Sequence, residues 1–179
     1  PNANPGGGSY TIPISTPFEL EGSATDADGD NLTYCWEEYD LGPAGSPSSA
    51  SAPYFRSYPP SSSSTRIFPT LSAILDGSNA ATGENLPNSS TTLNFKLTVR
   101  DNNSNGGGSD NASTCVSVDA AAGPFEVTSQ NTNVSYSANG VNTTNVTWNV
   151  ASTYVGNVDC DFVDILFSTD GGNTFPYTL

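Results

Sequence analysis

The sequence predicts an all-β protein built as two tandem β-sandwich modules, the second incomplete. Three observations point there. Helical periodicity is nearly absent, alternating apolar and polar runs recur along the chain, and turn residues separate those runs. The segment "TTLNFKLTVRD" (91–101) shows the pattern best. Leu93, Phe95, Leu97 and Val99 share one face of it, and Asn94, Lys96, Thr98 and Arg100 the other.

Each element follows in order. "SYTIPI" (9–14) and "PFELEGSA" (17–24) read as short strands, with Phe18 and Leu20 inward and Glu19 and Glu21 outward. "LTYCWEEY" (32–39) continues the alternation and buries Leu32, Tyr34 and Trp36. From about residue 40 to 90 the chain makes a Pro/Ser-rich insert, too long for a structureless loop in a compact domain. Its aromatic residues Tyr54, Phe55, Tyr58 and Phe68 predict a cover packed over the sandwich. "TLSAILDG" (70–77) is the one plausible helix, ended by Gly77. "STCVSVDA" (113–120) closes the first module (1–122), and "AAGP" (121–124) reads as a linker. The second module (123–179) comprises "FEVTS", "NVSYSA", "NVTWNVA", "DFVDILFST" and "NTFPYTL", with "DGGN" (170–173) as a hairpin turn and Trp148 in the core.

Charge and composition exclude several function classes. The 179 residues carry 4 Lys+Arg against 18 Asp+Glu, a net charge of −14, with no His and no Met. Such a surface repels nucleic acid and anionic membranes, and no apolar run is long enough to span a bilayer. It suits divalent cations and a soluble life outside the cell, so the expected location is secreted or at the cell surface. With neither a signal peptide nor an initiator Met, the chain reads as a mature or internal piece of a longer one.

"SATDADGDNLTYCW" (23–36) sets Asp26, Asp28 and Asp30 at alternating positions just before a strand. In an Ig-type sandwich this turn shares an end with the loop that begins at Asp101 and Asn102. Two loops would then converge four carboxylates and an amide on a calcium ion, a hard cation that takes six to eight oxygen ligands. The spacing is not that of an EF-hand. The competing account is an Asx-rich turn whose carboxylates cap backbone N–H groups, with Arg100 as partner. Calcium is preferred because one arginine does not compensate four carboxylates.

The pairing of "ATDADGDNLTYCW" with "NFKLTVRDNN" resembles PKD and cadherin-like modules over roughly residues 5–120. With "FRSYPPSSSSTRIFPTLSAIL" in the insert, the region is similar to the one C-terminal to the catalytic domain in secreted reprolysin-like zinc metalloproteases of Bacteroidetes. "VTWNVASTYVGNVDCDFVDILFSTDGGNTFPYTL" resembles the Ig-like module that follows in those proteins. The resemblance implies an accessory region, with about two further strands beyond Leu179. It also implies that Cys160 finds its partner in those strands.

Three Cys leave at least one without a partner in the chain. Parity turns Cys35 and Cys115 outward on one sheet, with a strand between them. A bridge there needs a local bulge, because two strand spacings (roughly 9–10 Å) exceed the ~7 Å that a disulfide tolerates. Asn-x-Ser/Thr triplets at Asn88, Asn133, Asn142 and Asn145 read as chance in a Ser/Thr/Asn-rich bacterial chain.

Catalysis has little to work with. Without His there is no H-E-x-x-H zinc motif, no Ser–His–Asp triad and no Cys–His pair. Glu37 and Glu38 are strand neighbours that point to opposite faces, and both read as surface carboxylates. The expectation is therefore a non-catalytic, calcium-stabilised spacer or binding region, partnered by other domains of its parent chain. The alternative is a structural subunit of a filament or adhesin, completed by strand addition from neighbouring subunits. "PNANPGGGSYTIP" would be the donor strand, and "NTFPYTL" would border the open edge that receives it.

Overall fold

A computed structural model describes residues 1–42, 51–129 and 143–179. The fold is all-β and sandwich-like. Its strands are β1 (Asn2–Asn4), β2 (Tyr10–Pro13), β3 (Phe18–Glu21), β4 (Ser23–Thr25), β5 (Thr33–Glu38) and β6 (Thr65–Phe68). The short helix α1 (Leu71–Leu75) follows. The remaining strands are β7 (Ala80–Ala81), β8 (Glu84–Asn85), β9 (Thr91–Arg100), β10 (Ser109–Asp119), β11 (Glu126–Val127), β12 (Trp148–Asn149), β13 (Leu166–Phe167) and β14 (Tyr177–Thr178).

One layer is the sheet β2-β10-β9-β5, parallel between β2 and β10 and antiparallel elsewhere. The pairs β1-β4 and β3-β6 form the facing layer. Period-two alternation on β9 puts Leu93, Phe95, Leu97 and Val99 wholly inside, joined by Val116, Val118, Trp36 and Leu20. Gly22 separates β3 from β4, where a Cβ would meet Leu97 Cδ2 at 2.5 Å.

The insert is more than a cover. Its β6 pairs with β3, from Phe18↔Phe68 to Glu21↔Thr65, and so supplies a strand of the second layer. Tyr54, Phe55 and Phe68 lie in the core itself, and Phe68 and Phe95 approach to 4.9 Å between ring centroids. The reason is size. The inward residues of β3 and β4 are too few to cover the apolar face of β9, and the insert's aromatics complete it. Residues 43–50 of the insert fall outside the described residues, as do "NVSYSA" and the triplets at Asn133 and Asn142.

The N-terminal segment, expected as a donor strand, is already used at home. Val116 to Asp119 pair in parallel with Tyr10 to Pro13, and Asn2 to Asn4 pair with β4. The "AAGP" segment is fastened rather than slack. Ala122 O accepts from Ile14 N at 3.0 Å, and Gly123 N donates to Ala151 O at 2.8 Å. Gly123 has φ +99°, and a Cβ there would lie 2.7 Å from Ile14 O, so only glycine fits.

Beyond residue 123 the described strands are two-residue ladders, β11-β12 and β13-β14. "DGGN" lies in a hairpin connection, the link between Phe167 and Tyr177 of the antiparallel pair β13-β14. Asp170 organises that connection by accepting from Thr174 N, Thr174 Oγ1 and Ser168 Oγ, which hold its carboxyl down at a pKa of about 2. Trp148 is half-buried, not core, and Phe162, Leu166, Phe167, Tyr177 and Leu179 are exposed.

Candidate cation site

The turn between β4 and β5 brings Asp26, Asp28 and Asp30 together, each with a carboxylate oxygen within 4.8 Å of the others. Asp26 Oδ1 accepts from the backbone N–H groups of Asp28 and Asp30, at 3.0 and 3.2 Å. This is the geometry of an Asx turn, in which a short carboxylate folds the chain back on itself. Asp26 Oδ2 lies 3.0 Å from the ammonium of Pro1. That hydrogen bond, with the two backbone donors, holds the Asp26 carboxyl below the usual carboxylate range. The Pro1 ammonium is raised in turn, first by Asp26, with Asp101 and Asp110 adding their charges.

The loop after β9 reaches the same end of the sandwich, but Asp101 does not join the cluster. Its Oδ1 accepts from Asn103 N at 3.1 Å and from Gly108 N at 2.9 Å, and Oδ2 is 2.8 Å from Gly108 N. Asp101 is thus bound up in closing its own loop. Asn102 is likewise engaged, its Nδ2 donating to Thr33 Oγ1 at 3.0 Å and to Asn31 O at 3.4 Å. The residue that reaches the aspartates is Asn103, whose Nδ2 donates to Asp30 Oδ2 at 2.8 Å. Nothing in the sequence sets it apart from Asn102, its neighbour in "RDNN". Arg100, weighed as a counter-ion, makes no ion pair with the cluster. The ion pairs among the described residues are Pro1–Asp26 and Arg66–Glu84.

Hard oxygen donors drawn close on a partly exposed loop could hold a metal ion. Asp28 is the exposed member of the three, and Asp30 Oδ2 already accepts from Asn103. Asp26 has already given lone pairs to two backbone N–H groups.

Two carboxylates depart from the surface role expected for such residues. Glu38 turns inward at the end of β5, and its Oε2 accepts from Tyr54 N at 2.7 Å and Phe55 N at 2.8 Å. Burial pushes its pKa up to about 7, against the pull of those two donors. Glu84 is wholly buried, 2.7 Å from Arg66 Nη2, and also accepts from Thr70 N at 3.0 Å. Both carboxylates anchor the insert, a role visible only once the insert's path is known.

The cysteines are free thiols. Cys35 faces Thr98 and Cys115 faces Asn94 on opposite edges of β9, so they share a sheet face as parity predicts. Four residues of register offset add to two strand spacings, for a separation of roughly 16 Å. No local bulge closes that gap to the ~7 Å of a disulfide. Cys35 Sγ instead donates to Tyr58 O at 3.3 Å, and Cys160 is exposed. No helix among the described residues is long and apolar enough to cross a membrane.

In comparison with known proteins, no family model matches the chain, and neither does any curated protein or any solved structure.

Proposed function

We propose that the chain is a non-catalytic, calcium-stabilised accessory region of a secreted or cell-surface bacterial protein, serving as spacer or binding module beside a metalloprotease domain. The observation that carries this reading is the gathering of Asp26, Asp28 and Asp30 at one end of an all-β sandwich. The amides of Asn102 and Asn103 brace that turn from the neighbouring loop. Like charges held so close favour a divalent ion, and calcium accepts the irregular, flexible geometry such a loop offers. The absence of His from the sequence supports a structural rather than a catalytic role. The PKD-like pattern of the same turn and of β9 supports the accessory assignment.

The test is thermal melting of the chain in calcium and in EGTA. A ligand that binds only the folded state stabilises it by about 2.7 kcal/mol at a hundredfold excess over Kd. A rise of several degrees in calcium supports the reading, and superimposable curves dispose of it.

A further inference from the structure

Glu38 ends β5 on the core side and is only 8 % exposed, although it is a carboxylate. Its Oε2 accepts from Tyr54 N and Phe55 N, in the inner turn of the insert. Its Oε1 is buried and has no hydrogen-bond partner among the described residues. An ionised carboxylate can only accept, so a buried Oε1 with no donor in reach is a costly place for charge. Protonated, the same atom becomes a donor, and an acceptor stands beside it. Asp40, two residues on, lies close enough for a side-chain hydrogen bond to Glu38. Asn94 N and Nδ2 orient the Asp40 carboxylate, each donating to one oxygen and leaving lone pairs free.

Among the described residues no cation offsets the pair. On β9, Lys96 stands opposite Glu37, with its ammonium 5.2 Å from the centroid of the exposed Tyr39 ring. Period-two alternation puts it, like Glu37, on the other sheet face from Glu38. On the insert, Glu84 bridges to Phe55 through the backbone, but its carboxylate is committed to Arg66, and Arg56 lies over the Tyr58 ring. The Tyr54 phenol feels both carboxylates and hydrogen-bonds to Thr91. We propose that Glu38 and Asp40 share one proton, carried on Glu38 Oε1, and that this proton latches the inner turn of the insert to the end of β5. Its loss to solvent leaves two negative charges side by side and an unpaired Oε1 in the core. Glu38 then swings toward water, Tyr54 N and Phe55 N lose their acceptor, and the turn opens while β9 and β10 stay paired. Burial, with Asp40 adding to it, holds the latched carboxyl at a pKa of about 7, against 4.5 once it is released. Opening therefore grows as pH rises between those values and levels off above them. The latch is separate from the aspartate cluster and does not depend on the calcium reading.

The experiment is amide hydrogen exchange on the whole chain, read at Tyr54 and Phe55 and corrected for the intrinsic pH dependence of exchange. Protection there should fall severalfold per pH unit from 4.5 to about 7 and level off above. Low urea should hardly change it, because a local opening exposes little surface, whereas protection at Leu97 and Val99 on β9 should fall steeply with urea. In Glu38→Gln, Oε1 still accepts from both N–H groups and Nε2 can donate to Asp40, so protection should stay high at every pH. Asp40→Asn offers the ionised Glu38 a donor and should shrink the fall severalfold. Carbon-13 NMR of the side-chain carboxyls should show Asp40 responding at the same step as Glu38, as two groups sharing a proton must. Protection that is independent of pH, that has the urea dependence of β9, or that falls as steeply in either variant overturns the proposal. So does an Asp40 carboxyl signal that ignores the step of Glu38, because the two then share no proton.

Discussion

Asn103 donates its side-chain amide to Asp30 Oδ2 at 2.8 Å across 73 residues of chain, joining the acidic turn before β5 to the loop after β9. The bond is charge-assisted and partly buried, so it fixes the direction in which one carboxylate of the cluster points. Asn103→Ala should lower stability by about 1 kcal/mol without added cation, as measured by urea unfolding. It should also weaken calcium binding severalfold by calorimetry. Unchanged calcium affinity would separate this amide from the cation site.

Asp28 is the exposed member of the cluster. Asp28→Asn keeps its size and removes its charge. In EGTA the variant should melt at or above the wild-type temperature, because repulsion within the cluster falls. In calcium it should lose most of the increment in Tm. A variant that responds to calcium like the wild type would remove Asp28 from the ligand set.

Glu38 makes stability depend on pH with a definite sign. Burial raises its folded pKa to about 7, above the unfolded value of 4.5, so the folded state holds the proton more tightly. Its contribution is fully present below pH 4.5 and is lost as pH rises through 7. The loss should be about 2 kcal/mol after allowance for solvent screening. Glu38→Gln should flatten the dependence across that window while Gln Oε1 still accepts from Tyr54 N and Phe55 N. Guanidinium unfolding at pH 5 and pH 7.5 measures it, and parallel profiles for the two proteins would refute the assignment.

Arg66 holds the buried Glu84 carboxylate, and its guanidinium also donates to Trp36 O and Arg56 O. It stacks over Tyr58 and Phe68 as well, at 5.0 and 4.3 Å from the ring centroids. Arg66→Ala strands a buried charge and should cost about 3–5 kcal/mol by urea unfolding. The double variant Arg66→Met/Glu84→Gln should recover part of that loss, because no uncompensated charge then remains.

The thiols should differ in reactivity. Cys160 is exposed, whereas burial pushes the Cys35 thiol up in pKa and Tyr58 O engages it. In native conditions an aromatic disulfide reagent should modify Cys160 first and Cys35 much more slowly. Reductant should leave Tm unchanged. A Tm that drops on reduction would mean that a disulfide forms after all.

Strand identity was legible wherever the alternation was long. β9 could be read residue by residue, since one face of "LNFKLTV" is wholly apolar and the other is not. β5 and the short helix α1 followed from the same local signals. The acidic turn was legible because its three aspartates are near neighbours in sequence, so an Asx turn alone suffices to gather them. Of the insert, the packed aromatics and the helix were legible and the strands were not. Its strands are two to four residues long, too short for a period to register, and its Pro and Ser content reads as loop.

By itself the sequence determined what depends on neighbours in the chain: the all-β class, the inward face of each long strand, and the local Asp26–Asp28–Asp30 turn. Only the tertiary structure decided which loop residue meets that turn, since Asn103 arrives there by the length of β9 and the register of its pairing with β5. It alone decided that Glu38 is buried, because the donors that hold it come from Tyr54 and Phe55, 16 and 17 residues further on. It also kept Cys35 and Cys115 apart, four residues out of register across a strand both of them flank. The physical reason is common to all three. Side-chain period is a property of the backbone and repeats every two residues, whereas burial, pairing and register are settled by surfaces that meet only when distant segments pack.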